Sequence, residues 1–166
     1  MNFATAVEHI FADEGLYSDH AADRGGATKY GVTRATLARY RGQEVSKQDV
    51  RQLTLAEAQE IYQKLYWEEA HCDELPPRLR YFHFDSAVQH GTHGALRILQ
   101  RAANTVDDGI WGPNTRAAVK LCSLGAYAVE RAEYYFDIIG NDHSQAVFAR
   151  GWGNRISKVF KRANAH

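Results

Sequence analysis

The sequence has little of what marks several protein classes. Its 20 basic and 20 acidic residues cancel to a formal net charge of zero. A nucleic-acid-binding protein usually carries a clear excess of basic residues, so we expect no nucleic-acid partner. No apolar run approaches the roughly 20 residues that a membrane-spanning helix needs, so we expect no stable membrane insertion.

Cysteine is also scarce. The two cysteines, Cys72 and Cys122, have a spacing that fits no zinc or redox motif. We expect two buried free thiols, and one disulfide between them is the alternative that the sequence leaves open. His90 and His93 have no carboxylate at a ligand spacing, so we expect no metal site. Nothing in the sequence implies a cofactor.

Helical spacing of apolar residues is what the sequence does have. The spacing of Phe3, Val7, Ile10 and Phe11 predicts a helix over residues 2–13. Residues 78–90 carry apolar groups on several faces, which is typical of a helix buried in the centre of a fold. Further helices are predicted from Thr33 to Arg41, over 55–70 behind a capping box at Thr54 and Glu57, from Gly91 or Gly94 to Ala103, from Pro113 to about Leu124, and over 126–139 and 145–163.

The segment near residues 15–32 interrupts this helical pattern. It is rich in glycine and poor in large apolar groups, which predicts a long ordered loop or a small hairpin. The expected fold class is therefore all-α, or α+β at most if the hairpin forms.

A carboxylate at the end of the first predicted helix is the strongest candidate for chemistry. Glu14 follows Asp13 and precedes Gly15, which can end a helix. The negative end of the helix macrodipole and the adjacent Asp13 are both expected to raise the pKa of Glu14. A carboxylic acid that keeps its proton near neutral pH can protonate the leaving oxygen of a glycosidic bond. The alternative is a solvated carboxylate at a helix end.

Two further groups in the same segment suit that reaction. Asp23 can return across a cleft as the second carboxylate, and Thr28 offers a hydroxyl that can orient water. The alternatives are local: Asp23 can stabilise its own turn, and Thr28 can bond the backbone beside it.

These residues belong to a longer pattern. Glu14-Gly-Leu-Tyr17, then Asp23-Arg-Gly-Gly-Ala-Thr28-Lys-Tyr30-Gly-Val-Thr33, resembles glycoside hydrolase family 108, which contains phage endolysins and secretion-associated muramidases. Three later motifs extend the resemblance over nearly the whole chain: Phe84-Asp85-Ser-Ala-Val-Gln89-His-Gly91, Asp108-Gly-Ile-Trp111-Gly-Pro-Asn-Thr115 and Phe148-Ala-Arg-Gly-Trp152-Gly-Asn-Arg155. The chain departs from the family pattern at Leu16, Arg24 and Gln89, and none of these departures removes a catalytic group.

The resemblance implies a fold, an activity and a place of action. The fold is a lysozyme-like catalytic region, 1–92, with a helical peptidoglycan-binding region, 93–166, packed on it as one compact unit. The activity is that of an N-acetylmuramidase of the lysozyme type that acts on peptidoglycan glycan strands, and we expect a monomer. The N-terminus lacks the pattern of a signal peptide, so we expect synthesis in the cytoplasm and release to the periplasm or cell wall by a holin-type or secretion-system route.

Several side chains are candidates for binding the glycan. The rings of Tyr17, Tyr30, Tyr66 and Trp67 can stack on sugars, with core packing as the alternative. Asp85 and Gln89 share a helix face, where they either touch substrate or form a structural network. Trp111 is either a wall contact or a plug beneath its own turn.

Two rival functions stay open at this point. A peptidoglycan-binding or secretion factor without turnover would bind the wall and leave it intact. A lytic transglycosylase needs one glutamate and no water-positioning Asp, and it leaves anhydromuramic ends on its products.

Overall fold

A computed structural model of the chain describes residues 1–14, 17–18 and 28–165, with the side chains of 1–13 and 28–165. It contains two compact units, Phe3–Tyr66 and Trp67–His166, the second together with Met1–Asn2. Nearly all regular structure is helical, and a small antiparallel sheet accompanies it. The predicted fold class is confirmed.

The first unit begins with a helix and a three-stranded sheet. Helix α1 spans Phe3–Glu14. Strands β1 (Tyr17–Ser18), β2 (Thr28–Lys29) and β3 (Val32–Thr33) pair in sequence order, all antiparallel. The hairpin expected near residues 15–32 is therefore a three-stranded sheet. Helices α2 (Arg34–Arg41), α3 (Lys47–Gln52) and α4 (Leu55–Tyr62) follow.

Side-chain caps fix where these short helices begin. The Thr33 hydroxyl accepts a hydrogen bond from the Thr36 amide, and Ser46 forms a complete capping box with Asp49. Thr54 caps α4 by accepting from the Glu57 amide. The carboxylate of Glu57 is bonded to the Arg41 guanidinium instead, at 2.9 and 3.1 Å, and we find no return bond to Thr54 among the described contacts. The predicted capping box at this position is thus only half correct.

The stretch after α4 departs from a regular helix. The predicted helix over 55–70 is α4 followed by a π-helical stretch, Gln63–Glu68, whose turns are wider. The wider turn changes which residue faces inward, because Trp67 is buried while Tyr66 is half-buried. An ideal helix would have buried position 66, which lies on the apolar stripe of Ile61, Tyr62 and Leu65.

The core of the first unit is made of the apolar stripes that the sequence shows. Its fully buried side chains come from α1, β3, α2 to α4 and the residue that follows α3, and they are Ala6, Val7, Ile10, Val32, Leu37, Val50, Leu53, Ala58, Ile61 and Tyr62.

The second unit is organised around one long helix. Helix α5 spans Pro77–Ala102 after a short 3-10 turn, Cys72–Glu74. Helices α6 (Pro113–Ala118), α7 (Leu124–Asn141) and α8 (Ala149–Asn164) follow, with a 3-10 turn over His143–Phe148. Helix α5 packs against both α7 and α8.

Helix α5 confirms two expectations. Residues 81–87 are all buried, as predicted for a central helix. A new helix was expected to begin near Gly91 or Gly94, and Gly91 has a non-helical φ of 74° and ψ of 160°, so the span to Ala102 consists of two helices that meet at a kink there. Glycine tolerates this left-handed φ without steric cost, so the chain bends there and stays helical on both sides. Helix α6 is shorter than predicted, ending at Ala118 rather than near Leu124.

A buried glutamine organises the connector between α5 and α6. The Gln100 amide nitrogen lies 2.8 Å from Asp108 Oδ1 and 3.0 Å from Thr115 Oγ1, and its carbonyl accepts from the Gly109 amide at 2.8 Å. Gly109 has a φ of 73°, and a Cβ there would lie 2.2 Å from the ring of His93. The Asp108–Thr115 motif is therefore a hydrogen-bonded structural turn.

Both cysteines are free and buried. The expectation of two buried thiols is confirmed. In the part of the chain that the structure describes, no helix is both long and apolar enough to cross a membrane.

Candidate active site

Glu14 is the last residue of α1. Its side chain lies outside the described residues, as does all of Asp23, so their predicted roles stay predictions. Position 14 follows Phe11 by three residues, which puts both positions on one face of the helix. The described surroundings of Phe11 therefore report on the face of α1 that carries Glu14.

That face meets a group of aromatic rings. The ring of Phe11 lies 5.9 Å from Tyr30 and 5.4 Å from Tyr62, edge-on to the latter. Tyr66 continues the group, 5.5 Å from Tyr62. The Tyr62 hydroxyl donates to the Tyr30 carbonyl at 3.2 Å. The last turn of α1 is thus flanked by apolar surface with polar edges, which is suitable for both desolvating an acid and stacking a sugar.

A strained turn positions the side chain of Tyr30. It has a φ of 53°, which is uncommon for a residue other than glycine, and Gly31 follows with a φ of 76°. These two residues join β2 to β3. The ammonium of Lys29 lies 5.5 Å from the Tyr30 ring and donates to the Arg51 carbonyl at 2.7 Å. The turn holds Tyr30 against Phe11.

Thr28 is fixed by strand pairing. It lies opposite Ser18 in β1 and Thr33 in β3. The pairing puts Thr28 beside Ser18, and Ser18 is four residues after Glu14 in the sequence. Asp23 belongs to the segment that connects Ser18 to Thr28. Tyr17 pairs with Lys29, and its side chain lies outside the described residues. The sheet thus holds Thr28 beside β1, the strand that follows α1.

Tyr66 and Trp67, neighbours in the sequence, differ in their surroundings. Tyr66 is half-buried beside Tyr62 and keeps an accessible part of its ring. Trp67 is 1% exposed and packs edge-on against Phe84 at 5.3 Å. A ring buried to that extent offers no face to a sugar, so for Trp67 the structure favours core packing.

Asp85 and Gln89 belong to a charged network in the second unit. Asp85 is fully buried, with Oδ2 2.7 Å from Arg131 Nη2 and Oδ1 2.8 Å from Arg155 Nη2. Gln89 is exposed, and when its amide is oriented with the oxygen toward Arg155, its carbonyl accepts from both terminal nitrogens of that residue at 3.2 Å. Of the two readings of Asp85, the geometry favours the structural network, because a carboxylate without accessible surface cannot touch substrate directly.

The sequence reasoning missed Arg131 and Arg155. Their signal was indirect: a buried Asp needs a partner, and Arg131 shares a helix face with the apolar Leu124, Tyr127 and Tyr135 of α7. Arg131 is itself fully buried, and its guanidinium carbon lies 5.2 Å over the Phe82 ring.

Trp111 is held inside its own turn. It is half-buried and stacks on His71 at 5.3 Å with the rings 11° apart. The Arg116 guanidinium lies 5.9 Å from the same indole and forms an ion pair with Glu74. These contacts are those of a plug that ties α6 to the Cys72–Glu74 turn.

Two histidines, the buried His83 and the half-buried His90, are held as neutral rings. His83 lies 2.7 Å from the Tyr127 hydroxyl and 3.1 Å from the Ala70 carbonyl, so Nε2 donates and Nδ1 accepts. Burial lowers the pKa of His83 to about 4 and that of His90 to about 3. Within the described residues, no three histidine, cysteine or acidic side chains come together as a metal site.

Comparison with known proteins assigns the family. The family model described as Glycosyl hydrolase 108 matches residues 7–91, which are 85 of the 166 residues. The chain belongs to glycosyl hydrolase family 108. The matched segment runs from α1 to the kink of α5, and it contains every predicted site residue except Trp111.

The rest of this family 108 chain also has known relatives. Residues 94–157 match the model described as "Predicted Peptidoglycan domain". A solved structure described as "Structure of Brucella abortus SagA" is similar over 98% of this chain and 94% of that one, with 35% identity and a TM-score of 0.88. No curated protein matches the chain. This family 108 protein is a glycoside hydrolase that acts on peptidoglycan in the cell wall.

Proposed function

We propose that the chain is an N-acetylmuramidase that cleaves the β-1,4 bond between N-acetylmuramic acid and N-acetylglucosamine, with Glu14 as the general acid. The observation that carries the proposal is the position of Glu14 at the C-terminal end of α1, on the helix face that meets the aromatic rings. The helix macrodipole, the adjacent Asp13 and that apolar surface all favour a protonated carboxyl group.

The reaction divides between two sets of groups. Glu14 donates its proton to the glycosidic oxygen as the bond to the anomeric carbon breaks. Asp23 stabilises the oxocarbenium-like sugar or activates the attacking water, and Thr28 orients that water. Tyr17, Tyr30 and Tyr66 hold the glycan by stacking, and Gln89 offers a polar contact at its edge.

The proposal also assigns a role to each region of the chain. Residues 1–92 form the catalytic region, and residues 93–166 bind the wall. The protein works as a monomer, either as an endolysin released through a holin-type route or as a secretion-associated enzyme that remodels the wall.

The deciding experiment compares two isosteric substitutions on α1. Purified full-length protein is added to peptidoglycan sacculi, and the fall in turbidity is followed. Glu14→Gln removes the acidic proton and is expected to abolish clearing while circular dichroism and wall binding stay unchanged. Glu8→Gln makes the same change at an exposed position of the same helix and is the matched control.

Product analysis then identifies the bond and the reaction. Reducing muramic acid ends support the muramidase proposal, whereas anhydromuramic ends identify a lytic transglycosylase. Full clearing by the Glu14→Gln protein excludes Glu14 as the acid. Wall binding with no clearing by the unsubstituted protein means that the chain is a binding factor.

A further inference from the structure

Tyr30 occupies a turn position that its own side chain disfavours. Tyr30 and Gly31 are the two residues between β2 and β3, and both have a positive φ, 53° and 76°. Hairpin turns of this kind favour Asn-Gly, because a larger side chain is crowded in the left-handed region. A strained residue persists only where its surroundings hold it, and such residues cluster at functional sites.

The hydroxyl of Tyr62 holds this turn from the core. It donates to the Tyr30 carbonyl at 3.2 Å, and the Tyr62 side chain is 2% exposed. Tyr62 is the last residue of α4, so the bond ties the turn to an element that is packed in the core of the first unit. The bond therefore constrains the backbone of the strained residue itself.

A second contact secures the end of β2 and leaves this role to Tyr62. Lys29, which directly precedes the turn, donates to the Arg51 carbonyl at 2.7 Å, and its ammonium lies 5.5 Å from the centroid of the Tyr30 ring. This contact fixes the strand. Among the described contacts, the donor to the Tyr30 carbonyl is the Tyr62 hydroxyl.

The two tyrosines differ in what they can reach. Tyr30 is half-buried and keeps part of its ring accessible, and an accessible ring can stack on a sugar. Tyr62 has almost no accessible surface, so it cannot touch substrate directly. Any effect of its hydroxyl on the reaction has to pass through a neighbouring group, and the group to which it is bonded is Tyr30.

We propose that Tyr62 is a positioning residue for glycan binding, whose hydroxyl holds the strained turn so that the Tyr30 ring meets the sugar in a fixed orientation. A group held in advance loses less conformational freedom when the substrate binds, which lowers KM. Thr28 is paired with both neighbouring strands, so loss of the Tyr62 bond leaves it in place and leaves kcat unchanged. The inference rests on the proposed function, which gives Tyr30 its contact with the glycan.

A single substitution removes the hydroxyl without removing the ring. Tyr62→Phe keeps the side chain that packs on Phe11 and Tyr66. Tyr40→Phe is the matched control, because it removes a hydroxyl that donates to Glu60 at 2.8 Å at an exposed place in the same unit.

Rates of product release from soluble peptidoglycan strands, measured by chromatography with the full-length proteins, give KM and kcat. We expect Tyr62→Phe to raise KM about fivefold, in line with the loss of one neutral hydrogen bond, and to leave kcat unchanged. Tyr40→Phe is expected to change neither constant. Thermal unfolding of each variant measures its stability separately.

A second background tests whether the effect passes through Tyr30. Tyr30→Asn removes the ring and puts a residue that the turn favours in its place. We expect Tyr30→Asn to raise KM by at least as much as Tyr62→Phe does. Adding Tyr62→Phe to Tyr30→Asn should then raise KM no further, because the ring that the hydroxyl positions is gone.

Three results would overturn the inference. The first is an unchanged KM for Tyr62→Phe, whatever its melting temperature, since the bond is then merely structural. The second is an equal rise in KM with Tyr30 present or replaced, which means that Tyr62 acts by another route. The third is a fall in kcat alone, which places the effect on the catalytic groups.

Failure of the proposed function looks different. If the unsubstituted protein releases no product, the proposed function fails and takes this inference with it. If that protein is active and its KM does not respond to Tyr62→Phe, this inference alone fails.

Discussion

Asp85 and Arg131 form an ion pair that is closed to solvent. Asp85 Oδ2 lies 2.7 Å from Arg131 Nη2, and neither side chain has accessible surface. Among the described residues, Asp85 is the one carboxylate within ion-pair distance of Arg131. Each charge is expensive to bury alone, so each depends on the other.

We predict that Asp85→Ala lowers the free energy of unfolding by about 3–5 kcal/mol, because it leaves the Arg131 guanidinium buried without its counter-charge. Urea denaturation measures the change. Asp107→Ala is the control: Asp107 pairs with Arg97 and Arg101 at the surface, where an ion pair contributes little. The double variant Asp85→Leu with Arg131→Met is expected to recover part of the loss. An unchanged urea midpoint for Asp85→Ala would show that the pair carries no stability.

Only part of the network around Asp85 could be predicted from the sequence. Asp85 and Gln89 were recognisable as a pair on one helix face, because a spacing of four residues fixes that relation. Their partners were not, because Arg131 and Arg155 lie 46 and 70 residues after Asp85 and meet it only through tertiary packing. Local signals similarly predicted the helix that begins at Thr33 and the start of α6 at Pro113.

One error has a local cause of a different kind. The π-helical stretch at Gln63–Glu68 is invisible to a pattern that assumes 3.6 residues per turn. That assumption puts Tyr66 on the buried stripe of the helix, whereas in the structure Trp67 is buried and Tyr66 is half-buried.

Acid is predicted to destabilise the protein through two histidines that the fold keeps neutral. His83 and His90 have folded-state pKa values of about 4 and about 3, against 6.5 for an ordinary histidine. Between each folded-state pKa and 6.5, the unfolded chain binds more protons than the folded chain, so the free energy of unfolding rises with pH over that interval. The contribution is fully present above about pH 6.5 and is lost as the pH falls toward 4, at up to about 1.4 kcal/mol per pH unit for each histidine.

Urea denaturation at several pH values between 4 and 7 tests this dependence. His83→Gln keeps a donor and an acceptor for Ala70 and Tyr127 and removes the titrating ring, so we expect a shallower slope. His143→Gln makes the same replacement at an exposed position and serves as the control. A slope that His83→Gln leaves unchanged would exclude His83 as its source.

The two thiols are predicted to react only after unfolding. Burial raises the pKa of both Cys72 and Cys122, which suppresses the reactive thiolate. A colorimetric disulfide reagent at pH 8 is expected to label the native protein slowly and to titrate two thiols at once in denaturant. Cys122→Ala should lower the denatured count to one. Rapid labelling of the native protein, or no free thiol in denaturant, would contradict the structure.

Two glycines that meet no neighbouring atom are predicted to respond in opposite ways to the same substitution. Gly151, inside α8, and Gly42, the left-handed cap of α2, both leave an added Cβ clear of other atoms by more than 4 Å. Gly151→Ala is expected to stabilise the protein by up to about 1 kcal/mol, because alanine loses less conformational freedom in a helix. Gly42→Ala is expected to destabilise it, because a φ of 66° strains any residue with a Cβ. Urea denaturation of the two variants side by side separates backbone conformation from steric contact, and a change of the same sign in both would refute this account.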